Sequence, residues 1–305
     1  NNSKQLGGIG EMCFNSPSNS YQITVYNEDY KTPDWFKTGI AYQIFVDRFC
    51  NGNENGEFLG NRTDIIKRNW GEQPFYKAEQ FGGEYKANDF FGGNLKGVIK
   101  KLPYLKDLGI SVIYLNPIFK AYSNHKYDTG DYETIDPMFG DEETFKELCS
   151  KAKEMGIRII LDGVFNHTGS NSRYFNKYGE YDSVGAYQSK ESPYYTWFRF
   201  MDWPDVYESW WGMTTLPQIE EHSEECRKYL LSDKDAIVKR WIKNGASGWR
   251  LDVVDELPGF FVKELRENVK KADKDAVIIG EVWEDASNKS AYGERREYFL
   301  GKELD

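Results

Sequence analysis

The sequence predicts an α/β fold in which about the first five βα units of a (β/α)8 TIM barrel carry an inserted subdomain after the third strand. From residue 40 onward, apolar strands alternate with helical segments, and four strands end on the acids Asp47, Asp162, Asp252 and Glu281. Active sites of barrels lie at the C-terminal ends of the strands, so this pattern favours a barrel. The alternative is a doubly wound sheet, but no glycine fingerprint follows the first strand.

The predicted elements follow one another in regular order. We expect strands at residues 40–47, 111–116, 157–162, 248–253 and 276–282, and helices at 95–108, 142–154, 235–243 and 260–271. Gly109 and Gly156 end the first two helices, and Pro117 ends the second strand. The third strand, IRIILD, is apolar enough to be buried on both faces.

Three segments depart from this alternation. Residues 1–35 contain the alternating stretch SYQITVY and then KTPDW, which predict the end of an upstream β domain and a linker. The aromatic and polar residues 168–225 are expected to form the inserted subdomain, between barrel parts at 36–167 and 226–305. A complete barrel needs three more units of roughly 30 residues each, and these do not fit between the fifth strand and residue 305. We therefore expect that a further C-terminal segment is required to complete the barrel.

Composition excludes several classes of partner. A net charge of −10 and a pI of about 5.1 argue against nucleic acid. No apolar run reaches the roughly 18 residues of a membrane span, and residues 1–10 are not expected to form a signal peptide. The cysteines Cys13, Cys50, Cys149 and Cys226 lack metal-type spacing, and we expect free thiols, with Cys149 packed as a small apolar residue. Reduced thiols favour the cytoplasm, although localisation stays open.

Two acids carry the strongest functional signal. Asp252 and Glu281 each end an apolar strand, and the two strands are one βα unit apart. Neighbouring strands lie about 4.8 Å apart, so carboxyls at equal heights should be close together. Retaining glycosidases need about 5–5.5 Å between their two acids, whereas inverting enzymes need more room for a water molecule. The spacing therefore predicts double displacement; an ordinary strand-end or helix-cap role for each acid is the alternative.

Four stretches resemble the α-amylase superfamily of glycoside hydrolases, nearest its neopullulanase, cyclomaltodextrinase and amylopullulanase branch. They are NPIFKAYSNHKYDTGDY at 116–132, DGVFNH at 162–167, GWRLDVVD at 248–255 and GEVW at 280–283. The resemblance implies a retaining hydrolase that cleaves α-1,4 bonds in starch-type glucans, maltooligosaccharides, pullulan or cyclodextrins. Whether it also cleaves α-1,6 bonds is left open. A transglycosylase on the same substrates and a noncatalytic amylase-like binding protein are the alternatives.

The resemblance also assigns roles to individual residues. Asp252 is the nucleophile, and Glu281 is the acid whose pKa must be raised relative to that of Asp252. Arg250 points to the same strand face as Asp252 and can hold it ionised, while Asp162 orders the site. Contacts to the sugar are expected from His167, Asn166, His125 and Trp283, ring stacking from Tyr127, and a brace for Arg250 from Asp128.

A calcium site is implied in the same way. Asn51, Asn53, Gly92 and Asn94 match the loop and turn through which relatives bind Ca²⁺. Asn stands at two positions where the family often has Asp, which predicts a lower affinity. A turn rich in Asn and Gly without metal is the alternative. No organic cofactor is expected.

Two features limit the functional assignment. The third family carboxylate belongs at the end of a seventh strand and has no match here, so the 305-residue chain alone is expected to be inactive. Leu216–Glu220 (LPQIE) resembles the neopullulanase-type pattern MPKLN more than QPDLN, but Glu220 departs from both and leaves the preferred linkage open. A homodimer is a further open possibility.

Overall fold

The computed structural model describes residues 23, 25–28 and 30–305. Five strands form one parallel sheet: β1 Ala41–Ile44, β2 Val112–Leu115, β3 Arg158–Gly163, β4 Gly248–Leu251 and β5 Val277–Gly280. They lie side by side in the order β1-β2-β3-β4-β5. A doubly wound sheet reverses its strand order at a switch point, and this sheet does not. The fold is therefore a partial (β/α)8 barrel, as the sequence predicted.

A helix lies in each connection between neighbouring strands: α1 Leu95–Asp107, α2 Glu142–Glu154, α3 Ile237–Lys243 and α4 Gly259–Ala272. Asn94 and Asp141 cap α1 and α2, because their side chains accept the backbone N–H three residues later. The predicted helices agree with these bounds to within two residues. The predicted first and fourth strands end early, because the backbone turns into short helical segments after Ile44 and Leu251.

Shorter elements lie in the connections. Two further helices and a π-helical turn are Asp34–Lys37, Glu224–Arg227 and Lys228–Ser232. Paired short strands are Ile66–Lys67 with Asp89–Phe90, Phe119–Ala121 with Thr129–Ile135, Phe200–Asp202 with Val206–Tyr207, and Ser290–Ala291 with Glu294–Arg295. Single 3₁₀ turns are Val46–Arg48, Ala78–Phe81, Tyr195–Trp197, Trp210–Gly212, Val254–Glu256 and Ala286–Asn288. The sequence did not predict the hairpin after β2.

The first 35 residues were predicted to contain a strand and a linker. The stretch at 20–26 lies largely outside the described residues. The last two residues of the predicted linker at 31–35 are helical, because the helix Asp34–Lys37 begins within it. Trp35 donates its indole N–H to the carbonyl of Asp275, 2.9 Å away, and so ties this helix to the residues before β5.

The sheet is buried on both faces. Its outer face packs under the helices through residues such as Ile113, Ile159 and Leu161, each 1% exposed or less. Its inner face carries a separate cluster that includes Val112 and Ile160. The prediction that the third strand is buried on both sides is therefore confirmed.

The segment 168–225 has few regular elements and many aromatic rings. Tyr174 stacks on Trp197 at 4.9 Å between ring centroids. Its hydroxyl accepts the backbone N–H of Tyr132 (3.0 Å), and the rings of Tyr174 and Tyr132 lie 5.5 Å apart. The aromatic core of this segment is therefore continuous with the core of the barrel.

The cysteines follow the prediction where they are described. Cys50, Cys149 and Cys226 are free, and Cys149 is 7% exposed within the core. Cys13 lies outside the described residues. In the described part of the chain, no helix combines the length and apolarity that crossing a membrane requires.

Candidate active site

Strand register brings the two predicted catalytic acids to one height. Leu251 on β4 pairs with Gly280 on β5, so the next residues, Asp252 and Glu281, leave their strands together. The backbone N–H of Glu281 donates to the Leu251 carbonyl (3.0 Å), which continues the ladder to this level. On the other side, Arg250 pairs directly with Asp162 of β3.

Arg250 lies at the centre of a group that we call the carboxylate cluster: Asp162, Arg250, Asp252 and Glu281. Arg250 Nη1 donates to Asp162 Oδ1 (2.8 Å) and to Asp252 Oδ1 (2.9 Å). Its Nη2 lies 2.6 Å from Glu281 Oε2. The two predicted catalytic carboxylates are thus held within the breadth of one guanidinium group, because Arg presents a planar fork of donors.

The backbone between β4 and the following turn is strained. Val253 has φ 39° and ψ 61°, a left-handed conformation that is rare for a β-branched residue. In this conformation its N–H donates to Glu281 Oε2 (2.9 Å). Strain of this kind persists where the surroundings fix the backbone, and it clusters at functional sites.

Charge is crowded in the carboxylate cluster, where three carboxylates surround one cation. Burial, followed by the charge of Asp162, raises the pKa of Asp252 to about 7 against the attraction of Arg250. Burial also raises the pKa of Asp162. The pKa of Asp252 is raised because its side chain is 6% exposed and faces two other carboxylates. The role that the sequence assigned to Glu281 stays a prediction.

Asp162, to which the sequence assigned an ordering role, binds two tyrosines of the site. It accepts hydrogen bonds from the hydroxyls of Tyr114 and Tyr127, the latter at 3.0 Å. Tyr114 was missed in the sequence. Its position on β2, next to β3 in the sheet, is the signal that could have revealed it.

An open cleft of about 800 Å³ lies over the carboxylate cluster. Eight of the nine predicted catalytic and substrate residues line it: His125, Tyr127, Asp128, His167, Arg250, Asp252, Glu281 and Trp283. Asn166 does not line this cleft. The structure therefore corrects the predicted contact between Asn166 and the sugar. It is 1% exposed, and its Nδ2 donates to the backbone carbonyl of Asp252 at 3.4 Å, which makes it a positioning residue.

The two histidines of the cleft are held neutral. His167 donates Nε2–H to the carbonyl of Tyr127 (3.1 Å), and burial lowers the pKa of His167 to about 4. Its Nδ1 is buried and has no hydrogen-bond partner among the described residues. His125 Nδ1 accepts the backbone N–H of Tyr127 (3.2 Å), and burial lowers the pKa of His125. Neutral imidazoles suit hydrogen bonding to hydroxyls.

The predicted brace between Asp128 and Arg250 is wrong. The Asp128 carboxylate accepts the backbone N–H groups of Tyr122 and Ser123, each at 3.1 Å. It also accepts the hydroxyl of Ser123. Asp128 therefore closes the turn that carries His125, because Asp side chains readily bond nearby backbone N–H groups.

Sequence reasoning assigned no role to Trp210, which lines the cleft, or to its neighbours Trp211 and Glu256. Trp210 and Trp211 follow Ser209 in the aromatic segment, and both indole N–H groups donate to Glu256, at 2.5 and 2.6 Å. Two adjacent tryptophans in a polar stretch were the available signal. Nothing in the sequence connected them to a glutamate 45 residues away.

The predicted calcium residues come together at the N-terminus of α1. Asn51 Oδ1 accepts Asn94 Nδ2–H (3.2 Å) and the backbone N–H of Asn53 (2.8 Å). Asn53 Nδ2 donates to the carbonyl of Glu57 at 2.6 Å. Gly92 precedes Asn94 in the same turn.

These contacts close the loop through amide hydrogen bonds. Asn94 Oδ1 is already engaged by the backbone N–H groups of Gly52 (3.1 Å) and Gly97 (2.9 Å). Calcium prefers several oxygen ligands that include carboxylates. Across the described residues, no three Asp, Glu, His or Cys side chains form a group that could hold a metal. As arranged, the four residues do not fit a calcium ion.

Comparison with known proteins identifies the family of the chain. The family model of the α-amylase catalytic domain matches residues 43–299. The chain belongs to the α-amylase family. It is 42% identical to an amylopullulanase of Thermoanaerobacterium saccharolyticum, over 94% of this chain and 24% of that protein. A cyclomaltodextrinase of Thermoanaerobacter pseudethanolicus is 41% identical, over 84% of this chain and 41% of the relative.

A solved structure extends the comparison. The type III pullulan hydrolase from Thermococcus kodakarensis matches with a TM-score of 0.74 and 35% identity, covering 91% of this chain and 47% of that one. The chain therefore spans less than half the length of each of these three relatives. The predicted family and its neopullulanase-like branch are confirmed.

Proposed function

We propose that the protein is a retaining glycoside hydrolase that cleaves α-1,4-glucosidic bonds in starch-type glucans, maltooligosaccharides, pullulan or cyclodextrins, with α-1,6 bonds as the second linkage to test. One observation carries the proposal: Arg250 holds Asp252 and Glu281 together beneath an open cleft. Relatives named amylopullulanase, cyclomaltodextrinase and pullulan hydrolase support the substrate class.

The chemistry is a double displacement. The Asp252 carboxylate attacks the anomeric carbon, the bond from that carbon to the leaving oxygen breaks, and the Glu281 carboxyl gives its proton to that oxygen. Glu281, now ionised, takes a proton from water as the water oxygen bonds to the anomeric carbon. The bond from the anomeric carbon to Asp252 breaks as the bond to the water oxygen forms, and both carboxyls return to their starting states.

The other cleft residues bind and orient the sugar. Arg250 lowers the cost of an ionised Asp252, because charge-assisted hydrogen bonds stabilise the anion. Tyr127 presents a ring to the cleft while its hydroxyl is fixed on Asp162. Neutral His167 and His125 are suited to hydroxyl groups of the bound sugar, and Trp283 borders Glu281.

Transglycosylation uses the same covalent intermediate, with a sugar hydroxyl in place of water. The balance between the two reactions is measured directly as the ratio of transfer to hydrolysis products. A noncatalytic binding protein would need neither Asp252 nor Glu281 in this paired arrangement, and we place that alternative last.

The test is product analysis with the complete natural protein on maltotriose, pullulan and cyclodextrin. We expect the α-anomer as first product, which is the signature of retention, and loss of hydrolysis in Asp252→Asn. Asp47→Asn is the matched control, since Asp47 also ends a strand region and is 1% exposed but does not line the cleft. Hydrolysis by Asp252→Asn at the wild-type rate, or a β-anomeric first product, would contradict the proposal.

Two narrower proposals accompany it. The 305-residue chain by itself should show no useful turnover, because the five strands described leave the barrel open and the third family carboxylate has no match. Supplying the remaining barrel segment should restore activity. The second proposal concerns a homodimer. Sedimentation of the complete protein measures whether it associates in this way.

A further inference from the structure

The rim of the cleft next to Glu281 carries an unusual pair of exposed indoles. Trp211 is 66% exposed and Trp283 is 57% exposed, and their rings meet edge to face at 5.7 Å. Trp210 stacks beneath Trp211 at 5.5 Å, with 28° between the ring planes. Exposed large aromatic rings in contact with one another mark binding surfaces more often than isolated ones do.

One carboxylate fixes Trp210 and Trp211. Glu256 Oε2 accepts the indole N–H of Trp210 (2.5 Å), and Oε1 accepts that of Trp211 (2.6 Å). The Glu256 backbone carbonyl is itself held by the hydroxyl of Tyr292 (2.5 Å). Because both polar edges are satisfied by the same group, what remains available to a ligand is the apolar ring face of Trp211.

The backbone at Trp211 is held in a costly conformation. Trp211 has φ 50° and ψ 30°, a left-handed geometry that L-residues with a side chain rarely adopt. A bulky exposed residue keeps such a geometry where its surroundings fix it. The two charge-assisted bonds to Glu256 supply that restraint.

Position relates the pair to the reaction. Trp283 contacts Trp211, and its indole N–H lies 3.3 Å from Glu281 Oε1. In the proposed mechanism Glu281 protonates the leaving oxygen, so the rings next to it flank the leaving sugar or the incoming acceptor. Flat apolar rings complement the C–H faces of a pyranose.

We infer that Glu256 is a positioning residue that orients Trp210 and Trp211 as a stacking surface, the indole platform, for the sugar on the leaving side of the cleaved bond. The inference rests on the proposed function and narrows it: the protein should favour donors and acceptors that carry a glucose unit at this position. A structural role for the indoles, as a surface covered by another part of the protein, is the competing explanation.

The experiment compares maltopentaose with α-maltosyl fluoride in the complete protein. The fluoride has the same donor side but no leaving sugar, so the ratio of the two kcat/KM values isolates the indole platform. For Trp211→Ala we expect this ratio to fall about tenfold. Glu256→Ala should lower the ratio more than Glu256→Gln, because the amide oxygen of Gln still accepts one indole N–H. Trp211→Phe should restore most of it.

Two controls separate the possible outcomes. Trp70→Ala removes a ring that is 49% exposed and contacts Phe91, which does not line the cleft, whereas Trp211 contacts the cleft residue Trp283. This control should leave the ratio within about twofold of wild type. An unchanged ratio in the Trp211 and Glu256 variants, or equal losses on both substrates, overturns the inference while the wild-type activity still supports the proposed function. A wild type that cleaves neither substrate overturns both.

Discussion

The floor and the rim of the cleft are built in different ways. The carboxylate cluster stands at the ends of three adjacent strands, so hydrogen bonding between strands sets its geometry. The indole platform stands on a loop and depends on one glutamate from a distant turn. Buried charge, closely paired, dominates the floor; exposed apolar surface dominates the rim. The comparison shows that backbone register can position reacting groups, whereas the binding surface around them depends on single side-chain tethers.

Removing the cation from the floor should have the largest effect. In Arg250→Leu we expect activity to fall by at least about a thousandfold and the free energy of unfolding to fall by about 3 kcal/mol at pH 8, since three carboxylates lose their shared partner. The stability loss should be smaller at pH 5, where the carboxylates can bind protons. Urea unfolding at the two pH values measures this.

Arg250→Lys is the control for that prediction. An ammonium group keeps the charge but cannot span three carboxylates as a planar fork does, so stability should recover more than activity. Equal loss of stability at pH 5 and pH 8 in Arg250→Leu would show that packing, and not charge, sets the cost.

A second prediction concerns pH dependence at the floor. The pKa of Asp252 is raised from 3.8 to about 7, so this carboxyl favours folding below pH 3.8 and loses that contribution as pH rises towards 7. Asp252→Asn should therefore gain stability over wild type across that window, reaching roughly 2 kcal/mol at pH 8. Thermal unfolding from pH 4 to 8 tests it; a difference that is constant with pH would be the wrong result.

The same shift predicts the acid limb of activity. The nucleophile must be ionised, so kcat/KM should decline as pH falls below about 7. His167, with a pKa lowered to about 4, should add no second limb between pH 5 and 8. A pH profile of kcat/KM for α-maltosyl fluoride reports this limb most directly, because its leaving group is fluoride and there is no leaving oxygen to protonate.

A smaller effect is expected from the tyrosine that supports the floor. Tyr114→Phe removes one of the hydroxyl donors to Asp162 and should lower the free energy of unfolding by about 1–2 kcal/mol. Tyr42→Phe is the matched control, because Tyr42 lies on β1 and its hydroxyl does not contact Asp162. Chemical denaturation of both variants compares them; equal losses would remove Tyr114 from its supporting role.

The smallest effect is expected at the loop before α1, which resembles the rim in depending on side-chain tethers. The side-chain amides of its asparagines already hydrogen-bond to one another and to the backbone. Calcium or a chelator should therefore change the melting temperature by less than about 2 °C. Asn53→Asp with Asn94→Asp introduces carboxylates and should make the melting temperature calcium-dependent. A clear calcium response in the wild type would restore the metal site that the family resemblance implied.

The floor could be predicted from sequence because its information is local. Each acid follows an apolar strand directly, and alternation within β4 places Arg250 on the same face as Asp252. That alternation no longer applies where strands end. Asn166 was assigned to the sugar, yet the backbone after β3 turns it behind Asp252. The raised pKa of Asp252 depends on burial and on three strands meeting, which no single stretch of sequence contains.

The rim could not be predicted for a related reason. The contact between Glu256 and the tryptophans joins loops about 45 residues apart, and no periodic pattern encodes it. The same is true of Trp35 with Asp275, 240 residues apart. The turn closed by Asp128 is different: Ser123 lies five residues away, and the tendency of Ser and Asp to form such turns was a usable local signal.

The shared packing of Tyr174, Trp197 and Tyr132 has a consequence for engineering. A segment that brought its own core could be exchanged between homologous enzymes as a cassette. Here the rings of residues 168–225 interlock with those of the surrounding scaffold. Chimeras that swap this stretch to alter product profiles will therefore need Tyr132 and its neighbours from the same donor, or the transplanted piece will leave holes beneath it.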